Sequence, residues 1–190
     1  MIRIFTILLV MMMTTPVYAS TKTAVFAGGC FWCMESEYKG IEGVSDVVSG
    51  FSGGSADTAT YEQVSKGGTG HREVVQITYD PEKVRYETLL DIFWSNVDPF
   101  DEEGQFCDKG FQYTAAIFVN DEAEREKAKQ SLAKVEKKHG RKVATAIVDA
   151  EPFYPAEEYH QDYFRKNPIR YKLYRGGCGR DKRLEELNRE

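Results

Sequence analysis

Residues 121–139 form the clearest helix in the sequence, and a short apolar run lies on each side of it. Asp121, Glu122 and Glu124 open the segment, while Lys134, Lys137, Lys138 and His139 close it, which complements the helix dipole at both ends. Ala128, Leu132 and Val135 give it one apolar edge, and Gly140 stops it. Residues 115–119 before it and 143–148 after it read as strands. A helix between strands predicts a sheet with helices laid against it.

The rest of the chain repeats this interleaving. Ala24-Val25-Phe26 is a short apolar strand that runs into Gly28-Gly29-Cys30, and Phe31–Tyr38 reads as a helix. Residues 44–51 are β-rich, and Tyr61–Val64 fits one helical turn. Residues 73–79 alternate as a strand, with Val75, Ile77 and Tyr79 on one face, and Asp80-Pro81 stops them. Residues 86–94 read as a helix. Residues 157–166 read as another, ended by Asn167-Pro168. The fold class is therefore α/β (α+β): a two-layer sandwich with a ferredoxin-like split βαβ core and a long irregular C-terminal segment.

At 190 residues, 42% of them hydrophobic and 13% aromatic, the chain has a globular composition. Its net charge of −5, without a basic stripe, argues against nucleic acid as a partner. The N-terminus is set apart. Arg3 precedes an apolar run over 4–13 interrupted only by Thr6, and Val17 and Ala19 occupy the small-residue positions before a cut ahead of Ser20. That pattern predicts a secretory signal peptide over 1–19. A membrane span needs about 20 apolar residues, roughly twice this run. Residues 20–190 are then a single domain, exported to the periplasm or secreted, with no stable membrane insertion.

Cys30, Cys33, Cys107 and Cys178 all lie in the mature part. Export favours two structural disulfides, and four cysteines allow three pairings. Yet a domain of this size builds a core without staples. Cys30 and Cys33 are also too close to gain from loop closure. Cys30, between a strand end and a helix start, has its sulfur near unpaired amides that favour the thiolate. A zinc site would want a second close pair or His ligands, and Cys107 and Cys178 stand alone. A general Cys-x-x-Cys thiol-disulfide oxidoreductase is an alternative, although the usual Pro between the cysteines is absent. A secreted, disulfide-stapled binding module is another. A catalytic thiol with a local resolving partner fits best.

Four ordered blocks then resemble the peptide methionine-S-sulfoxide reductase A family. They are Gly29-Cys30-Phe31-Trp32 with Glu35; Tyr61-Glu62-Gln63-Val64 with Gly70-His71-Arg72-Glu73; Gly104-Gln105-Phe106-Cys107-Asp108 with Gln112-Tyr113; and Phe153-Tyr154-Pro155 with Tyr159-His160-Gln161-Asp162-Tyr163. The resemblance implies thiol-dependent reduction of methionine S-sulfoxide, free or in proteins, with Cys30 as nucleophile and Glu73 as its acid. It implies Tyr61 and Tyr113 on the oxygen, Phe31 and Trp32 around the methyl group, and Asp108 on the polar side. His160 and Tyr163 fall on pocket-wall positions. Cys33 stands where the family often has a small residue and is the first candidate for the resolving thiol. Cys178 is a candidate relay in a flexible stretch, and Cys107 is read either as a buried inert thiol or as redox-active. No metal or organic cofactor is implied, since thiols carry the electrons and a thioredoxin-like protein recycles them. Thr114-Ala115 replace the family's frequent Arg-Ser, and the usual C-terminal Trp is missing. His71 reads as a hydrogen-bonded scaffold residue and His139 as a helix-end charge.

Overall fold

The computed structural model describes residues 20–189, so the leader expected over 1–19 lies outside the described residues. The strands of the main sheet are β1 (Lys22–Ala27), β2 (Val44–Ser52), β3 (Arg72–Tyr79), β6 (Ala116–Val119), β7 (Ala146–Asp149) and β8 (Phe153–Pro155), while β4 (Gly104–Gln105) and β5 (Asp108–Lys109) form a separate small hairpin. The helices are α1 (Phe31–Tyr38), α2 (Tyr61–Val64), α3 (Tyr86–Ser95), α4 (Glu122–His139), α5 (Tyr163–Lys166), α6 (Pro168–Gly177) and α7 (Arg180–Arg189).

The sheet order is β7-β6-β1-β3-β2-β8. β3 runs antiparallel to both β1 and β2, so the β1-α1-β2 unit is split by an inserted strand, as expected. β6 adds antiparallel to β1, completing the ferredoxin-like core. β7 then pairs parallel with β6, a connection that requires a crossover and receives it from α4. β8 closes the other edge, antiparallel to β2.

One face of this sheet carries the core. Phe26, Phe51, Val75 and Ile77 alternate toward it and meet Phe31 and Met34 of α1 and Leu89 and Phe93 of α3. A smaller cluster of Ala27, Val74, Ala116 and Phe118 covers part of the opposite face. α4 is capped as read: the Asp121 carboxylate accepts from the Glu124 amide at 2.8 Å, and Gly140 takes φ +63.

Three expectations give way to tertiary contacts. The strand expected over 143–148 becomes β7, beginning three residues later, because its partner β6 offers four residues for pairing; the Ala144 amide turns to Pro99 O instead. The helix expected over 157–166 splits into a 3-10 turn, Glu158–His160, and α5. Between them Asp162 sits at φ +53 with its amide bonded to the Glu35 carboxylate at 3.0 Å, while Gln161 exchanges hydrogen bonds with the Ser49 backbone. The C-terminal segment is not irregular. Pro168 starts α6, and α7 buries Leu184 and Leu187 at helical spacing. Among the described residues no helix is long and apolar enough to cross a membrane.

Candidate active site

β1 delivers the chain to Cys30 through Gly28-Gly29. Gly29 takes φ +80, and a Cβ there would lie 2.5 Å from Gln105 Cβ, so both conformation and space demand glycine. Cys30 is the N-cap of α1, and its carbonyl accepts from the amides of Cys33 and Met34. Its side chain accepts none of the helix amides. The Phe31 amide, the first of the helix, donates instead to Glu73 Oε2 at 3.0 Å.

Glu73 continues the core-facing stripe of Val75, Ile77 and Tyr79 and is 2% exposed, not a solvated strand-end charge. Burial pushes its carboxyl up to about 8; the Phe31 N–H holds it down in part, and Asp108 and Cys33 add to the rise. At neutral pH it is mainly a proton donor. Glu73, Cys30, Tyr61 and Tyr113 face one small cavity of ≈ 50 Å³, walled also by Phe31 and Trp32 and by Asp108 and Tyr174. Burial lifts the Tyr61 phenol to about 12 and the Tyr113 phenol further, so both keep their protons. A wider cleft of ≈ 240 Å³ beside Trp94 and Leu187 holds no cysteine.

The thiols depart from the sequence reading. Cys30 and Cys33 are free, buried and share a hydrogen bond. Burial, reinforced by Cys33 and Glu73, holds the Cys30 thiol well above its ordinary range. Cys33 is drawn down to about 7 by that bond and by the Arg180 and Arg175 guanidiniums. The pair's first negative charge thus rests on Cys33, because burial weighs most on Cys30 while the Arg180 and Arg175 guanidiniums favour charge on Cys33.

His160 and Tyr163 do not line the cavity; they hold Trp32 from behind. The Trp32 indole N–H donates to His160 Nδ1 at 3.0 Å, and Tyr163 stacks on the indole with centroids 3.8 Å apart. Burial lowers the pKa of His160, consistent with an accepting neutral ring. His71 is scaffold: it accepts from the Gly54 amide and bonds Ser55 O.

Cys107 and Cys178 are joined in a disulfide. Cys107 is exposed and bonded, so the buried inert thiol considered for it is overturned, and Cys178 caps α6 rather than lying in a flexible stretch. Their sulfurs cluster with an Asp108 oxygen within 4.8 Å, but sulfurs bonded to each other are not metal-binding thiolates.

Sequence reasoning missed three contributors. Tyr174 enters the cavity wall from α6 and donates its hydroxyl to Asp108 Oδ2. Arg180, 1% exposed, donates to Gly28 O and Asn96 O beneath the Cys30 turn. Glu35, wholly buried, fixes the Asp162 turn. The Tyr171 and Tyr174 spacing on one helical face was the available signal; nothing local marks Arg180 as buried.

The Peptide methionine sulfoxide reductase family profile matches residues 22–190. The chain is 46% identical over 169 residues to "Peptide methionine sulfoxide reductase MsrA 2" of Rhizobium meliloti, covering 89% of this chain and 84% of that one. The fold is similar to reduced Mxr1 of Saccharomyces cerevisiae, with TM-score 0.75 at 33% identity over 79% of this chain and 87% of that one. It is also similar to Mxr1 in complex with Trx2, with TM-score 0.53 at 25% identity over 80% and 91% of the two chains.

Proposed function

The chain belongs to the peptide methionine sulfoxide reductase family and reduces methionine sulfoxide to methionine; we propose that Cys30 takes the oxygen, Glu73 supplies the proton and Cys33 closes the cycle. The observation that carries this reading is a protonated, buried carboxyl and a buried thiol facing one cavity.

A sulfoxide oxygen is a poor leaving group as an anion, so attack at its sulfur needs a proton delivered to the oxygen. Glu73 holds that proton at neutral pH, and the Tyr61 and Tyr113 hydroxyls supply further donors. Phe31 and Trp32 give the methyl group an apolar wall. As the Cys30 sulfur attacks, its own proton passes along the shared hydrogen bond to Cys33. Attack forms a bond between the Cys30 sulfur and the substrate sulfur; the protonated oxygen then passes to the Cys30 sulfur as that sulfur–sulfur bond and the substrate S–O bond break, so methionine leaves and Cys30 is a sulfenic acid. The Cys33 thiol then attacks Cys30, expels water and leaves a disulfide. Two electrons have moved from the thiol pair to the substrate.

The substrate is the S epimer, free or in proteins, and the recycling reductant is a thioredoxin-like dithiol protein. The Trx2 complex of the yeast relative supports that partner. The basic start, short apolar run and small-residue site over 1–19 support action outside the cytoplasm. Assay of each epimer with dithiothreitol tests the reading: turnover of the S epimer alone is expected, and no methionine from either ends it.

A further inference from the structure

Three phenols face the catalytic cavity, and they divide between its two reacting groups. Tyr61 and Tyr113 belong to Glu73: after burial, the Glu73 charge does most to raise both phenols. Tyr174 belongs to the thiols. After burial, Cys30 acts on it most strongly, and its side chain packs against the cluster of Cys30, Cys33, Tyr163 and Tyr171. Its ring meets the Trp32 indole edge-on, with centroids 5.7 Å apart. The helix that carries it is tied to α1 on both sides of this residue. Tyr171 and Ser36 share a hydrogen bond of 2.8 Å, and Arg175 donates to Glu37 at 2.6 Å. Since Cys30 is the N-cap of α1, the Tyr174 hydroxyl is held in place relative to the Cys30 sulfur.

That hydroxyl has one hydrogen and two acceptors within reach, an Asp108 oxygen and the Cys30 sulfur. In the structure it donates to Asp108 Oδ2, as a carboxylate outcompetes a thiol sulfur for a donor. Oxygen transfer changes this competition. It places an oxygen on Cys30, one bond away from the sulfur that Tyr174 already reaches. It also spends Glu73, whose proton has gone to that oxygen. The cycle must next expel the oxygen as water, and Glu73 is by then an acceptor rather than a donor. Burial keeps the proton on Tyr174, so its O–H is available for this step.

We propose that Tyr174 is a catalytic residue of the resolving step: its hydroxyl turns from Asp108 to the oxygen on Cys30 and steadies that oxygen as the leaving group while Cys33 attacks. This rests on the reaction proposed above and adds a donor to its second half. The Cys33 sulfur bonds to the Cys30 sulfur, and the Cys30 S–O bond breaks. The Cys33 proton passes to the departing oxygen, which leaves as water. The Cys33 sulfur is oxidised and the Cys30 sulfur reduced, each ending in the disulfide. Tyr174 gives a hydrogen bond and keeps its own proton, so its hydroxyl returns to Asp108 unchanged. The first step retains its own donors in Glu73, Tyr61 and Tyr113. Loss of the Tyr174 hydroxyl is therefore felt only after methionine has formed.

Tyr174→Phe removes the hydroxyl and keeps the ring against Trp32. The reduced variant and the reduced parent are each mixed with one equivalent of methionine S-sulfoxide and quenched at successive times. Free methionine, Cys30 labelled by a dione-based sulfenic acid probe, and the Cys30–Cys33 disulfide are then followed by chromatography and peptide mass. In the variant, methionine should form within about twofold of the parent's rate, while the disulfide forms about tenfold more slowly and labelled Cys30 accumulates. Methionine formation in the variant also reports that the site is folded. Disulfide formation at the parent's rate would overturn the inference. Equal slowing of both products would overturn it too, since it places Tyr174 in the first step or in the packing of Trp32. No methionine from the parent would instead overturn the reaction itself.

Discussion

The backbone N–H of Phe31 donates to the carboxyl of Glu73 across 42 residues of sequence, at 3.0 Å. A helix N-terminus beside a cysteine ordinarily favours the thiolate. Here the leading amide serves the acid, and Cys30 keeps its proton until Cys33 takes it. The site is therefore organised as a shared-proton cluster rather than as one ionised nucleophile, and its pH behaviour follows from that.

The single-turnover rate of methionine formation should be bell-shaped in pH. Its rising limb follows ionisation of the thiol pair near 7, and its falling limb follows loss of the Glu73 proton near 8. Rapid-quench measurements from pH 5.5 to 9.5 check this. Glu73→Gln should lower the maximum by about 10²–10⁴ and abolish the falling limb. An alkaline limb unchanged in Glu73→Gln would remove Glu73 as donor.

Glu73 should also cost stability at neutral pH. Its folded pKa of about 8 lies above the ordinary 4.5, so the unfolded chain binds fewer protons than the folded chain between these values. The carboxyl's contribution is fully present below 4.5 and is lost as pH rises through 8. Glu73→Gln keeps an acceptor for the Phe31 amide and does not titrate, so its melting temperature should exceed that of the parent increasingly from pH 5 to pH 8. Calorimetry of both across that range decides it; a pH-independent difference would contradict the assigned cause.

Cys33→Ser should form about one methionine per chain and then stall with a sulfenic acid on Cys30. A dione-based sulfenic acid probe and peptide mass mapping detect that product. Full multiple turnover in this variant would give the resolving role to another cysteine.

Arg180→Ala should destabilise the fold by about 3 kcal/mol or more, since it leaves the carbonyls of Gly28 and Asn96 buried without their donor. The expected fall in melting temperature is about 6–12 °C. Lys at this position should recover part of it. A variant melting with the parent would mean that the carbonyls find other partners.

The sequence by itself determined the elements whose stabilising contacts are local. The charges at both ends of 121–139, the Asp121 and Gly140 caps, and the alternation of 73–79 are satisfied within a turn or a strand, so they survive folding unchanged. The cysteine at a strand–helix junction is equally local, and the ordered blocks around it carried the family resemblance. Tertiary structure decided what depends on distant partners. Glu35 and Ser49 break the helix expected over 157–166, β6 limits β7 to four residues, and Cys107 finds Cys178 at a separation of 71. Protonation belongs to the same class. Whether Glu73 is an acid or an anion depends on how much water the whole fold excludes from it, and that exclusion is assembled from β3, α1 and the C-terminal helices together.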